Sequence, residues 1–193
     1  MTGSRAIHPL LISLTNISFA FWSKALNHLF LLLTILPIPA FIEKDAKVWG
    51  VLDSRLMHEC LDFIMQPLKK AAKIGVMMPD PAGSLRYCFT LLVAYIADTP
   101  EAVMVACVAG KTSAVTMELY VQFGDAYHHP PHTAISTLSQ LVSIQSSGTD
   151  PADIKAYAKE AMKFQLNGVN EPFWRNWPLS QPVRTTSATQ PKS

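Results

Sequence analysis

The chain has 193 residues, 49% of them apolar and 16% charged, with a formal net charge of +2. That length suits one domain with a buried core, and so low a charge beside so high an apolar fraction excludes a wholly disordered chain. The charge balance is too mild to mark a nucleic-acid binder. Three widely spaced cysteines (Cys60, Cys88, Cys107) exclude a disulfide framework and point to a reducing compartment, nuclear or cytoplasmic, rather than secretion.

Early in the chain, Arg5 is not followed by the compact apolar and small-residue pattern of a signal peptide. Leu10 to Leu14 is a short apolar run that fits a buried strand. The segment from Lys24 to Leu36 reads as a short helix or strand closed by Pro37-Ile38-Pro39. Its apolar run, Leu29 to Leu36, falls well short of the ~20 residues that cross a bilayer. Residues 49–74 hold the clearest amphipathic helix: Val51, Leu52, Leu56, Leu61, Ile64, Met65 and Leu68 recur at helical spacing, with Asp53, Arg55, Glu59, Asp62 and Lys69 mostly between them. Pro67 should kink or divide that helix, and Gly75 should stop it.

Met78-Pro79-Asp80-Pro81-Ala82-Gly83 is a turn, and Tyr87 to Ile96 a strand or the front of a helix. Thr99-Pro100-Glu101 reads as an N-cap, an early proline and a first-turn acid, opening a buried helix to about Ala109 with Gly110 as its stop. A proline-rich loop carries His128, His129 and His132. Thr133 then caps a helix with Ile135, Leu138, Leu141 and Val142 on its apolar face. Asp150-Pro151 should open a last helix with the stripe Ile154, Tyr157, Ala158, Ala161 and Phe164, ended by Asn167-Gly168. From Ser180 the composition predicts a disordered tail, so residues 1–179 form the domain and 180–193 the tail.

Candidate chemistry is sparse. Gly110-Lys111-Thr112 imitates the end of a phosphate-binding loop, but Val105 stands where the first glycine belongs and the residues between read as helix. His128, His129 and His132 lack the cysteine pairs of a structural zinc site, which favours solvated loop histidines. His58-Glu59 begins a zincin motif that fails at Asp62; His58 and Asp62, four apart, suit a surface hydrogen-bonded pair. Phe173, Trp174 and Trp177 beside Arg175 could stack bases, although packing on the core is the stronger reading. Asp98 and Glu101 could share a divalent cation, or could simply favour the helix dipole.

From Leu85 to Glu101 the sequence resembles the Plavaka-type transposases of fungal cut-and-paste DNA transposons, most specifically in Tyr95-Ile96-Ala97-Asp98-Thr99-Pro100-Glu101. Supporting stretches are His8 to Leu14 with Asn16-Ile17, Leu36 to Pro39, Gly110 to Ser113, Gln122 to Asp125 and Pro172 to Leu179. The resemblance covers roughly residues 1–182. It implies an α/β, helix-rich chain carrying an incomplete RNase H-like transposase core. Three acids there hold two Mg²⁺ ions for phosphodiester chemistry, and Asp98 falls on the second acid. It is thus the one catalytic and metal-binding candidate.

The family's first acid lies upstream of the segment matching Met1 and its last acid downstream of Trp177-Pro178-Leu179, and Lys111 to Val115 replaces a Cys-x-x-Cys of many members. The expectation is therefore a catalytically inactive remnant holding no Mg²⁺, with weak DNA binding as the open partner and neither a membrane nor a small-molecule substrate. A retained DNA- or protein-binding module is the alternative.

Overall fold

The structure, a computed structural model, describes residues 8–22 and 24–178; the expected tail from Ser180 lies outside the described residues. Among them, five α-helices accompany two small antiparallel sheets, a mixed α/β and helix-rich architecture. The chain forms two compact units, residues 1–44 and the remainder from Asp45.

In the first unit, β1 (His8–Ile12) pairs antiparallel with β2 (Leu31–Leu36), with a register irregularity between Leu10 and Leu11. The short helix α1 (Phe19–Trp22) lies between them in sequence. The expected burial of the run from Leu10 to Leu14 is corrected: Leu10 is buried, but Leu11 and Leu14 are exposed, as are Leu31 and Leu32 on the partner strand. A two-stranded ribbon has too little surface to cover both of its own faces.

The second unit is organised on α2 (Ala46–Ile74). Asp45 caps it, accepting from the Lys47 backbone N–H at 3.1 Å and pairing with the Lys155 ammonium at 3.1 Å. Its buried stripe is Val48, Val51, Ser54, His58, Leu61, Met65, Lys69 and Ala72. Of the expected kink or division at Pro67, the division does not occur: the helix runs through the proline. Burial of Leu61 and Met65 before the proline, and of Lys69 and Ala72 after it, offsets the ~3 kcal/mol that an interior proline costs. Gly75 ends the helix as expected, at φ +70°, and a Cβ there would stand 2.5 Å from the Tyr87 ring.

The hairpin of β3 (Val76–Pro79) and β4 (Leu85–Cys88) follows, turned at Asp80, whose carboxylate accepts from the Ala82 and Ser84 N–H groups, both at 2.9 Å. Residues 89–98 have no regular structure, which narrows the expected strand or helix to β4 alone. Helix α3 (Thr99–Val105) is capped by Asp98 rather than Thr99 and ends well before Gly110. The chain instead leaves the helix at Cys107, φ +63°, and pairs with a distant segment. Ala109 N–H donates to the Gln165 carbonyl (2.8 Å) and Asn167 N–H to that of Cys107 (3.0 Å).

Helix α4 (Ala134–Ser146) is capped by Thr133 as expected. Its buried face is Thr137, Leu141 and Ile144, whereas Ile135 and Val142 are exposed, because the cover comes from α5 (Ile154–Met162). Asp153, not Asp150, caps α5; Asp150 instead holds the preceding turn through the Ala152 N–H at 2.9 Å. The helix ends at Met162, short of Asn167-Gly168. Leu141, Ile144, Tyr157, Ala161 and Leu166 form one continuous apolar cluster. All three cysteines are free. Among the described residues no helix is long and apolar enough to cross a membrane.

Candidate functional site

Asp98 sits at the entrance of α3, on an exposed surface. Its Oδ1 accepts from the Glu101 backbone N–H at 2.9 Å, and its carbonyl accepts from Ala102 N–H at 2.8 Å. Pro100, in the first turn, lacks an N–H that would need a partner there. Glu101 faces elsewhere: its Oε1 accepts from the Tyr95 hydroxyl at 2.8 Å. Burial and then the hydrogen bond to the Glu101 carboxylate push the Tyr95 phenol well above its usual range. The two carboxylates therefore share a helix end but serve different partners. One oxygen of Asp98 is committed to the cap, and among the described residues no group of three metal-capable side chains includes it. A pair of octahedral Mg²⁺ sites needs several carboxylate oxygens converging on one point, so the side chains around Asp98 do not fit that pair.

The position of Asp98 is fixed from the other end of the helix. His58 of α2 is 1% exposed. Its Nε2 donates to the Met104 carbonyl at 3.1 Å and its Nδ1 accepts from Phe173 N–H at 3.1 Å. A carbonyl only accepts and an amide only donates, so these bonds define one neutral tautomer. Burial moves the His58 pKa down to about 4. The expected surface pair of His58 with Asp62 is thereby corrected. Asp62 instead pairs with the ammonium of Lys69, itself only 6% exposed, and lies 3.6 Å from Arg175. Trp174 closes the arrangement, its indole N–H donating to the Val105 carbonyl at 2.9 Å. Phe173, Trp174 and Trp177 are all buried, so they pack as the core reading expects and offer no face to a base.

An open groove of about 400 Å³ borders α2, lined in part by Arg55, Glu59, Asp62, Glu171 and Arg175. Arg175 is spent on Glu171 at 2.9 Å. Arg55 donates to the Gly168 carbonyl (2.9 Å) and the Pro151 carbonyl (2.6 Å), and stacks over Tyr157. With three acids against two cations, the groove carries a formal negative excess and offers a phosphate chain no attractive field.

Of the other sequence candidates, Gly110-Lys111-Thr112 forms no phosphate cradle. Thr112 is buried, and the Lys111 ammonium lies 5.5 Å from the Tyr120 ring centre. His128 is exposed, whereas His132 lies near Thr137, with Nδ1 3.3 Å from its hydroxyl. The expectation of merely solvated loop histidines fails at His129, whose Nε2 sits 3.0 Å from Asp125. Sequence reasoning overlooked that pair, although Asp125 and His129 stand four residues apart. The family model described as Plavaka transposase matches residues 1–188 of the chain. No curated protein and no solved structure matches it.

Proposed function

From the premise that the chain belongs to the Plavaka transposase family, we propose that it is a transposase-derived protein without strand-cleaving activity of its own. In this reading it descends from an RNase H-like core and holds no Mg²⁺ pair. The observation that carries the proposal is the state of Asp98, the residue on the family's second acid: its carboxylate caps α3, and Glu101 beside it holds Tyr95. Two-metal hydrolysis or strand transfer needs acids that clamp both the attacking and the leaving oxygen. A lone, already bonded carboxylate supplies neither clamp.

Incubation of the chain with duplex and nicked DNA in Mg²⁺ or Mn²⁺ tests this. No cleavage above a buffer control is expected, and cleavage abolished by Asp98→Ala would overturn it. The remaining role is a binding one, with DNA as the partner the family suggests. A net charge of +2 favours weak affinity, read as a shallow slope of log affinity against log salt.

A further inference from the structure

We propose that Glu118, Asp125 and His129 form a zinc-binding clasp in the loop between α3 and α4. The loop folds back on itself through backbone bonds: Ser113 N–H to the Glu118 carbonyl (2.9 Å), Met117 N–H to that of Pro130 (2.9 Å) and His132 N–H to that of Val115 (2.8 Å). These bonds bring residues 115–118 alongside 130–132, so Glu118 and His129 become neighbours although eleven residues apart. Gly124, at φ +84°, turns the chain so that Asp125 faces the same point.

His129 Nε2 lies 3.0 and 3.1 Å from the two Asp125 carboxylate oxygens and 3.8 Å from Glu118 Oε1. One donor atom from each of the three side chains falls within 4.8 Å of the others. Zinc with bonds of ~2.1 Å places tetrahedral donors ~3.4 Å apart, and the measured separations bracket that spacing. The second oxygen of Glu118 accepts from the Thr116 hydroxyl at 3.1 Å, an outer contact that aims the first oxygen inward.

The donor chemistry selects the ion. An imidazole nitrogen beside two carboxylates suits zinc, whereas Mg²⁺ prefers an all-oxygen shell. One imidazole proton cannot serve both carboxylates at once, but a dication can. The three side chains are 16–27% exposed, which leaves water access to the fourth tetrahedral position. The ion would tie the two arms of the loop together; no chemistry at Asp98 is involved.

The test uses the full chain, stripped with chelator and titrated with zinc against a chromophoric competitor. One equivalent should bind with a Kd of about 10 µM or tighter, and His129→Gln should weaken that at least about tenfold. His128→Gln, altering an exposed neighbour, should leave it unchanged. Glu118→Gln, which can keep the Thr116 bond, should also weaken binding while far-UV circular dichroism stays that of the parent. Zinc should protect the parent loop from limited proteolysis and leave the loop of Glu118→Gln unprotected. Absence of stoichiometric binding, equal losses in His128→Gln and His129→Gln, or unweakened binding by folded Glu118→Gln would each overturn the assignment.

Discussion

Acidification should destabilise the second unit through His58. The ring is neutral in the folded chain because burial lowers its pKa to about 4, against 6.5 for an unburied histidine. Above pH 6.5 neither state carries the proton and the contribution to stability is complete. Between 6.5 and about 4 only the unfolded chain takes up the proton, so stability falls as pH falls; below about 4 both states bind it and the contribution is gone. At ~1.4 kcal/mol per pH unit the full loss is about 3 kcal/mol, a large share of the 5–15 kcal/mol typical of a domain. Denaturant unfolding of the parent and of His58→Gln at pH 7, 6, 5 and 4 measures it. The variant should be the less stable at pH 7, since Gln satisfies the Met104 carbonyl and the Phe173 N–H less well, and the gap should close toward pH 4. Parallel stability curves across that range would refute the reasoning, as would the His58 imidazole itself titrating near 6.5 by NMR in the folded chain.

Trp174→Phe should cost about 1 kcal/mol more than Trp177→Phe, by denaturation midpoint. Both rings are buried, but only Trp174 loses a bond, to the Val105 carbonyl, whereas the Trp177 indole N–H has no acceptor among the described residues. Lys69→Met should destabilise by about 2–4 kcal/mol, because it leaves the half-buried Asp62 with Arg175 alone at 3.6 Å. Adding Asp62→Asn should recover part of that loss in a double-mutant cycle. Gly75→Ala should cost about 1–3 kcal/mol, since it meets both a positive φ and the Tyr87 ring, and thermal unfolding reads it directly.

Helix α2 shows what the sequence made legible and what it hid. Its stop at Gly75 and the burial of Val51, Leu61 and Met65 follow from spacing, whereas the helix begins earlier, at Ala46, and Leu52, Leu56, Ile64 and Leu68 are only half-buried. Yet the buried stripe passes through Ser54, His58 and Lys69 at the same three- and four-residue steps as Val51, Leu61, Met65 and Ala72. Position put these polar residues inside, while their chemistry argued for the surface; Ser54 is satisfied within the helix by the Gly50 carbonyl, whereas His58 and Lys69 also draw on partners far along the chain, Phe173 and Asn176. The early end of α3 has the same origin. Residues 102–109 are apolar enough to continue a helix, but pairing with residues 165–167 captures the backbone after Val105, and no local signal announces a partner sixty residues away. At the candidate metal clasp the spacing of Asp125 and His129 was visible, whereas Glu118 joins them only once the loop has folded back.

The placement of Asp98 depends more on the far end of α3 than on its own cap. A helix leaves its last carbonyls without partners. Here the Met104 carbonyl accepts from His58 Nε2 and from the Asn167 side chain at 3.3 Å, and the Val105 carbonyl accepts from the Trp174 indole. Three segments well separated in sequence thus converge on one turn, while the N-terminus is held by a single exposed carboxylate. Removing the cap with Asp98→Ala should cost about 1 kcal/mol and remain local. Removing His58 strands a buried N–H at Phe173, so its effect should extend through the whole second unit. A substitution at Asp98 is therefore a clean probe of chemistry: it alters the carboxylate while the helix that presents it stays anchored from behind.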